Sequence, residues 1–532
     1  MRQISLAAAF RRISGLTGIS RLLGFGRDIT FAAFLGAGPA ADAFLVALKL
    51  PNMFRRLTAE GALANAFVPS FAEMRSADGN GAAMRLAGEV QTTLMIALLA
   101  LVVAAEIFMP SIISFLAPGF ADTSTGDDMP GRFDVAVDLA RITFPYLPMI
   151  SLVAFWAAIA NAHDRFSVAA LLPVIFNICL IVGALALPFW DMALADMALA
   201  DMALADMAMG DIVKARPVPL ALALLVAGIL QLAIMGMVLH RAGIMPGWHW
   251  PRLLSPARRM WRRFVTASAG AVAIQINLVV DLVLASLLGV GAISWLYYAD
   301  RIVQLPLGVI GIALGTALLP RLSAQFREQD RQPARQTLAD AILFAAFLVL
   351  PASVALAMIG PQIITGLFRY GAFSMSDALA SGMALAIYAV GLPGHLLLKI
   401  LQPAFYAAFR PGLVLAVSVA MVAMNIGLSI TLMQIYGHLG LAMATSASGI
   451  FAAATLMIIS VRSGYVGTLP ISGLLRISAA CAVMALALVV IDRLLPPVAG
   501  WLVMAALVGG GGGAFLLAAW GLRAIPRQLL RG

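Results

Sequence analysis

Apolar runs of about 18 residues or more recur from one end of this 532-residue chain to the other. A run of that length is what a helix needs to cross a bilayer. The hydrocarbon layer offers no water to backbone N–H and C=O groups, so only helices and closed barrels cross it. Barrel strands are short and alternate in polarity, whereas these runs are long and unbroken. With 62% hydrophobic and 11% charged residues, the chain reads as an all-α polytopic membrane protein. We place about fourteen spans, near 5–35, 40–72, 84–110, 135–161, 166–189, 217–240, 264–289, 294–320, 336–360, 378–408, 411–435, 438–461, 470–492 and 498–522.

The loops set the orientation. Arg241, Arg252, Arg258, Arg259, Arg262 and Arg263 crowd the connection 241–263, which has no acidic residue. Arg321, Arg327, Arg331 and Arg335 lie in 321–335, and Arg523, Arg527 and Arg531 in the tail. These fall on one side, predicted to be cytoplasmic. An even span count puts both termini there. The opposite loops carry Asp122, Asp127, Asp128 and Asp134, then Asp191, Asp196, Asp201, Asp206 and Asp211. The net charge of +10 follows from basic cytoplasmic loops and calls for no nucleic-acid partner. Arg11, Arg12 and Arg21 interrupt any signal-peptide core, so the N-terminal segment is expected to stay as the first helix. Cys179 and Cys481 sit inside apolar runs and read as small buried hydrophobes. The five histidines show no HxxxH or HExxH spacing, hence no metal signal.

Two repeats stand out. DMALADMALADMALADMAMG from Asp191 has a five-residue period, which walks around a helix and makes no charged stripe; it reads as a loop expansion and lacks an EF-hand pattern. The longer repeat pairs LGAG at Leu35–Gly38 with LGVG at Leu288–Gly291. Helices with Pro51 and Pro69, then with Pro306 and Pro320, follow these turns. Asn177 after ANAHDRF matches Asn425 after YAAFRP. We read two six-helix lobes, 1–240 and 264–462, joined by the basic linker 241–263, with 463–532 adding two more helices. Six helices per lobe put the pseudo-axis along the membrane normal, with sites expected between the lobes.

The chemistry lies in charges inside apolar runs. A charge at mid-bilayer costs roughly 2.5–3.5 kcal/mol by insertion scales. Yet Ile19–Glu60 carries Arg21, Arg27, Asp28, Asp42, Lys49, Arg55, Arg56 and Glu60. So many charges call for a wet cavity with something to bind. Arg21 and Arg27 point about 120° apart on an ideal helix, and Gly24 and Gly26 between them could unwind it locally. Asp42, Lys49 and Arg56 share a face, but Pro51 breaks that register, so either Arg55 or Arg56 could point inward. Asp300 and Arg301 follow Tyr297 and Tyr298 early in the eighth span, and Lys399 lies in the tenth. Arginine suits diphosphate because its planar fork donates paired hydrogen bonds and keeps its charge. Asp42, Asp300 and Glu60 would hold such arginines in an empty site. Against this stands the reading of interfacial anchors or helix-to-helix salt bridges. Asp281 is a lone acid in the seventh span; Asn425 and Ser429 share a helix face, and Thr445 lies in the twelfth. Oxygens of this kind could hold Na⁺, or Asp281 could be satisfied by Asn277.

SRLLGFGRD, LGAGPAADAFLVALKLPNMFRRLTAEGAL, APGF at Ala117–Phe120 and WLYYADRIVQLPLGV strongly resemble the lipid II flippase family (MurJ, also MviN), in order over nearly the whole chain. The resemblance implies the multidrug/oligosaccharidyl-lipid/polysaccharide exporter fold: two six-helix lobes in a V, with two extra helices shaping a lipid groove. It implies transport of lipid II, the undecaprenyl-diphosphate-linked peptidoglycan precursor, to the outer leaflet of the bacterial inner membrane. Lipid II and membrane lipids are then the partners, other cell-wall synthesis proteins are candidate ones, and the chain is expected to be a monomer without a cofactor. The family's cavity arginines fall on Arg21, Arg27, Arg55 and Arg301, and its cavity acid on Asp42. A sodium site of some relatives falls on Asp281, Asn425, Ser429 and Thr445, with serine at 429 where an acid is expected. Na⁺ and H⁺ both remain candidate coupling ions. The pentapeptide insertion is not a family feature.

Other readings are weighed against this. An exporter of another lipid-linked glycan, or of a cationic drug, would share the fold; a drug antiporter should show acids in its first lobe, and this one shows arginines. A membrane enzyme acting on lipid-linked sugar needs paired carboxylates or a metal cluster, and the loop acids have no such arrangement. A scaffold for wall synthesis needs no buried arginine.

Overall fold

The computed structural model describes residues 6–526 apart from 59–61, 122–130, 164, 201–215, 251–254, 327–331, 468–469 and 497–498. Glu60, Asp122, Asp127, Asp128, Asp201, Asp206, Asp211, Arg252, Arg327, Arg331, Arg527 and Arg531 lie outside the described residues, as does the side chain of Arg56. The described residues are helical, with no strand.

Contacts divide the chain into two compact units, Met1–Ile293 and Ser294–Gly532. The first holds α1 (Leu6–Leu35), α2 (Pro39–Thr58), α3 (Ala62–Leu116), a short turn of helix (Pro118–Phe120), α4 (Arg132–Thr143), α5 (Tyr146–Ala162), α6 (Phe166–Leu185), α7 (Leu187–Ala200), α8 (Val218–Arg241) and α9 (Ser255–Ser286). Helix α1 packs on α6, α6 and α5 on α8, α2 on α4, and α3 on α5. Helix α9 packs on α3 and α2. The core is aromatic: Phe31 meets Phe44 edge-on at 5.6 Å, and Phe67 meets Phe155 at 4.7 Å.

The second unit holds most of α10 (Ala292–Gln325), then α11 (Gln332–Phe368), α12 (Met375–Ala407), α13 (Pro411–Tyr436), α14 (His438–Arg462), α15 (Ile471–Leu494) and α16 (Gly500–Gly521). Helix α12 packs on α11 and α14, α13 on α14, and α15 and α16 on each other and on α11. Tyr298, Phe368 and Phe373 form its aromatic knot.

Among the described residues ten helices are long and apolar enough to span a membrane. The long helices outside that set are α1, α2, α9 and α10. They carry the candidate arginines and acids, and in α1 and α2 those charges interrupt the apolar run. Large apolar side chains such as Phe115, Leu486 and Leu517 point outward, as a surface facing lipid requires.

Local chemistry explains several ends and breaks. Gly36, at φ 73°, caps α1 by donating its N–H to the Phe31 and Ala32 carbonyls, and Pro39 opens α2. The expected span 40–72 is two helices, and α3 then runs on to Leu116 with one break at Gly79 (φ 83°, ψ 175°). The span 135–161 is broken near Pro145. The unwinding that Gly24 and Gly26 could allow does not occur: α1 is one helix throughout, and Gly24 lies against the Asn177 amide on α6. The pentapeptide repeat starts as helix α7, and Asp191 pairs with Arg216 at 3.2 Å.

Candidate functional site

Among the described residues the most buried of the predicted cations is Arg27, at 8% exposure. Its Nε and Nη2 donate to Asp28 Oδ1 at 3.1 and 2.7 Å, and Nη1 donates to Asn177 Oδ1 at 3.1 Å. The Asn177 amide in turn donates to the Ser20 carbonyl. The rings of Phe31 and Phe176 lie 5.5 and 5.8 Å from the guanidinium. Helices α1 and α6 therefore clamp a neutralised charge pair. Arg21, half-buried on α1, has no side-chain partner among the described residues.

Helix α2 supplies the next charges. Asp42 is 1% exposed, and its Oδ2 accepts the Gly291 N–H at 2.8 Å. The acid of the first glycine turn thus binds the turn of its repeat-mate, while Asp28 is the acid bonded to Arg27. Lys49 is half-buried. Arg55 lines a cavity of about 430 Å³ walled by α2, α5, α6 and α8, together with Asn52, Tyr146, Asn161, Phe176 and Gln231. Asn52 orients Arg55, accepting from Nε at 3.2 Å, and is itself anchored to the Leu48 carbonyl. Tyr146 donates to Gln231, whose amide bonds the Leu172 carbonyl at 2.7 Å. The buried Oδ1 of Asn161 has no partner among the described residues. The chamber combines apolar walls with a few convergent polar groups and one guanidinium, the usual make-up of a ligand site. Sequence reasoning passed over Asn52, Tyr146, Asn161 and Gln231; a lone amide inside an apolar run was the available signal.

The other face of α2 is different. Leu50, Met53 and Phe54 line a second cavity, of about 510 Å³, with α3 and α9.

In the second unit Asp300 accepts from Gln304, which also accepts from Arg301 Nη1 at 3.5 Å. The Arg301 guanidinium lies 4.5 Å from the Tyr297 ring. Lys399 is exposed on α12. Asn425 on α13 donates to Thr445 Oγ1 on α14 at 3.3 Å, and Ser429 is fully buried with its hydroxyl unbonded among the described residues. Asp281 lies in the first unit and accepts from Asn277 at 3.2 Å. Sodium favours several oxygen ligands with anionic help. The second unit brings together only neutral oxygens, and among the described residues no three His, Cys, Asp or Glu side chains share a metal position.

Solved structures share this architecture. A lipid II flippase MurJ in an inward closed conformation superposes with a TM-score of 0.78 at 25% identity, covering 98% of this chain and 99% of that one. An inward-facing multidrug resistance MATE family transporter of the MOP superfamily superposes with a TM-score of 0.63 at 16% identity, covering 84% and 94%. Helices bearing buried charge, set among apolar spans in this fold, define a polytopic membrane transporter rather than an enzyme. The family model for lipid II flippase MurJ matches residues 31–508. A probable lipid II flippase MurJ of Rhizobium meliloti (strain 1021) is 38% identical over 490 residues, covering 92% of this chain and 87% of the relative. One of Rhizobium tropici is 36% identical over 464 residues, covering 87% and 82%. The chain belongs to the lipid II flippase MurJ family.

Proposed function

We propose that the chain carries lipid II from the cytoplasmic to the periplasmic leaflet of the bacterial inner membrane for peptidoglycan synthesis. The single observation that carries this reading is Arg55, a guanidinium oriented by Asn52 in a chamber of a membrane-embedded unit. Its fork suits a diphosphate, and low surrounding polarity strengthens each charged contact. Arg21, Arg27 and Arg301 are the further substrate cations, with Lys49, Arg56 and Lys399 adding positive potential. Asp28 and Asp300 hold Arg27 and Arg301, through Gln304 in the second case. Asp42 and Glu60 complete the set, Asp42 by tying α2 to the Gly291 turn.

Transport proceeds by alternating access between lobes 1–240 and 264–462 across the linker 241–263, with the polyprenyl chain left in lipid. Helices α15 and α16, within 463–532, supply a groove beside it. Both termini face the cytoplasm, and the carrier works as a monomer alongside the wall-synthesis enzymes that use its product. Membrane potential resets the empty carrier, each charge moved being worth about 2.3 kcal/mol per 100 mV; Na⁺ at Asp281, Asn425, Ser429 and Thr445 and H⁺ are the competing couplers.

The test is depletion and rescue. Cells relying on Arg55→Ala should accumulate lipid II in the inner leaflet, and Arg55→Lys should rescue in part, since lysine keeps the charge but not the fork. Full export by Arg55→Ala, at wild-type protein levels, would remove the arginine role.

A further inference from the structure

The second cavity of the first unit has no place in the account above. Met53 and Phe54 on α2, Leu101, Phe108 and Phe115 on α3 and Val279 on α9 line it, and the Ser111 hydroxyl is its one polar side chain. Phe108 and Phe115 are 59% and 69% exposed, so the groove opens outward. Phe54 is braced edge-on against Phe144 at 5.8 Å, which gives it a fixed wall. One turn of α2 separates this groove from the polar chamber: Asn52 and Arg55 line one, Met53 and Phe54 the other.

We propose that the groove between α2, α3 and α9 seats the polyprenyl tail of the ligand whose diphosphate Arg55 meets. The assignment rests on the flippase reading and adds to it a tail site separate from α15 and α16. Chemistry favours this occupant over a bilayer acyl chain. Lipid is as apolar as the groove, so a free chain gains no hydrophobic free energy by entering. A chain tethered to a held head group arrives at high effective concentration, and contact with rigid aromatic walls then suffices to keep it. Residues 54 and 55 are adjacent, so one amphiphile can reach both faces of α2.

The test compares two lipid II analogues, one with the undecaprenyl tail and one with a farnesyl tail, binding to the full-length protein in detergent micelles. Wild type should prefer the long tail by about fivefold or more. Ala104→Trp and Ser111→Trp fill the groove from exposed positions of α3 that tolerate a large side chain. They should erase that preference while leaving farnesyl binding and the melting temperature unchanged. A wild-type preference retained by both variants would overturn the proposal and leave the groove to bilayer lipid. An equal fall for both analogues would also overturn it, since the substitutions would then act on the head group or the fold. Binding of neither analogue to wild type would overturn the flippase reading and the tail site with it.

Discussion

Arg27 is neutralised by the residue next to it in the chain, and that pair shows what a buried charge needs. Asp28 supplies the opposite charge and Asn177 the remaining acceptor. Removing one partner strands the other in a medium that cannot solvate it. Asp28→Asn is expected to cost about 3–5 kcal/mol, and Asn177→Leu roughly 1.5–3 kcal/mol, both read from denaturant unfolding in micelles. A wild-type midpoint for Asp28→Asn would mean that something else balances Arg27. Ser429 offers the opposite case: its hydroxyl is buried and unbonded among the described residues. Ser429→Ala should leave thermal stability unchanged or slightly raised, in sodium and in potassium alike. A sodium-specific loss would instead place an ion on Ser429. The charges of this layer were legible as residues out of place in apolar runs. Their partners were not, because Asn177 meets Arg27 only when α6 packs on α1, 150 residues away.

Helix ends and close approaches belong to the next scale. The APGF motif reads in sequence only as a family signature. In the fold Arg132 lies 4.1 Å over the Phe120 ring and donates to the Gly119 carbonyl, while Gly119 lies against the end of α9. A Cβ at 119 would collide with the Ser286 carbonyl. Gly119→Ala should therefore cost about 1–3 kcal/mol, with backbone forced to move. Gly427, inside α13 with nothing within 4 Å of a Cβ, is the control. Gly427→Ala should gain about 0.5–1 kcal/mol by restricting the unfolded chain. Melting curves of the two variants should shift in opposite directions. Helix existence followed from run length, and the joins did not. Gly79 breaks α3 while α1 runs as one helix through Gly24 and Gly26: a glycine permits a break without dictating one.

At the scale of the molecule, the expectation to test is orientation. In a background carrying Cys179→Ser and Cys481→Ser, an impermeant thiol reagent on intact cells should label Ala121→Cys and spare Arg258→Cys. Labelling of Arg258→Cys from outside would invert the topology and move the basic connection away from the cytoplasm. Length, apolar runs and interrupted charges by themselves determined an all-helical membrane protein with cations held at depth, because hydrocarbon leaves a backbone few ways to be satisfied. The tertiary structure alone decided which charges meet a neighbouring charge and which line a cavity. Arg27 and Asp28 close on themselves against α6, Asp42 is taken up by a backbone N–H, and Arg55 faces a chamber. Spacing along a helix tells which residues share a face. What that face meets depends on packing between segments far apart in the chain, and one turn of α2 can turn arginine to a polar chamber and phenylalanine to a greasy groove.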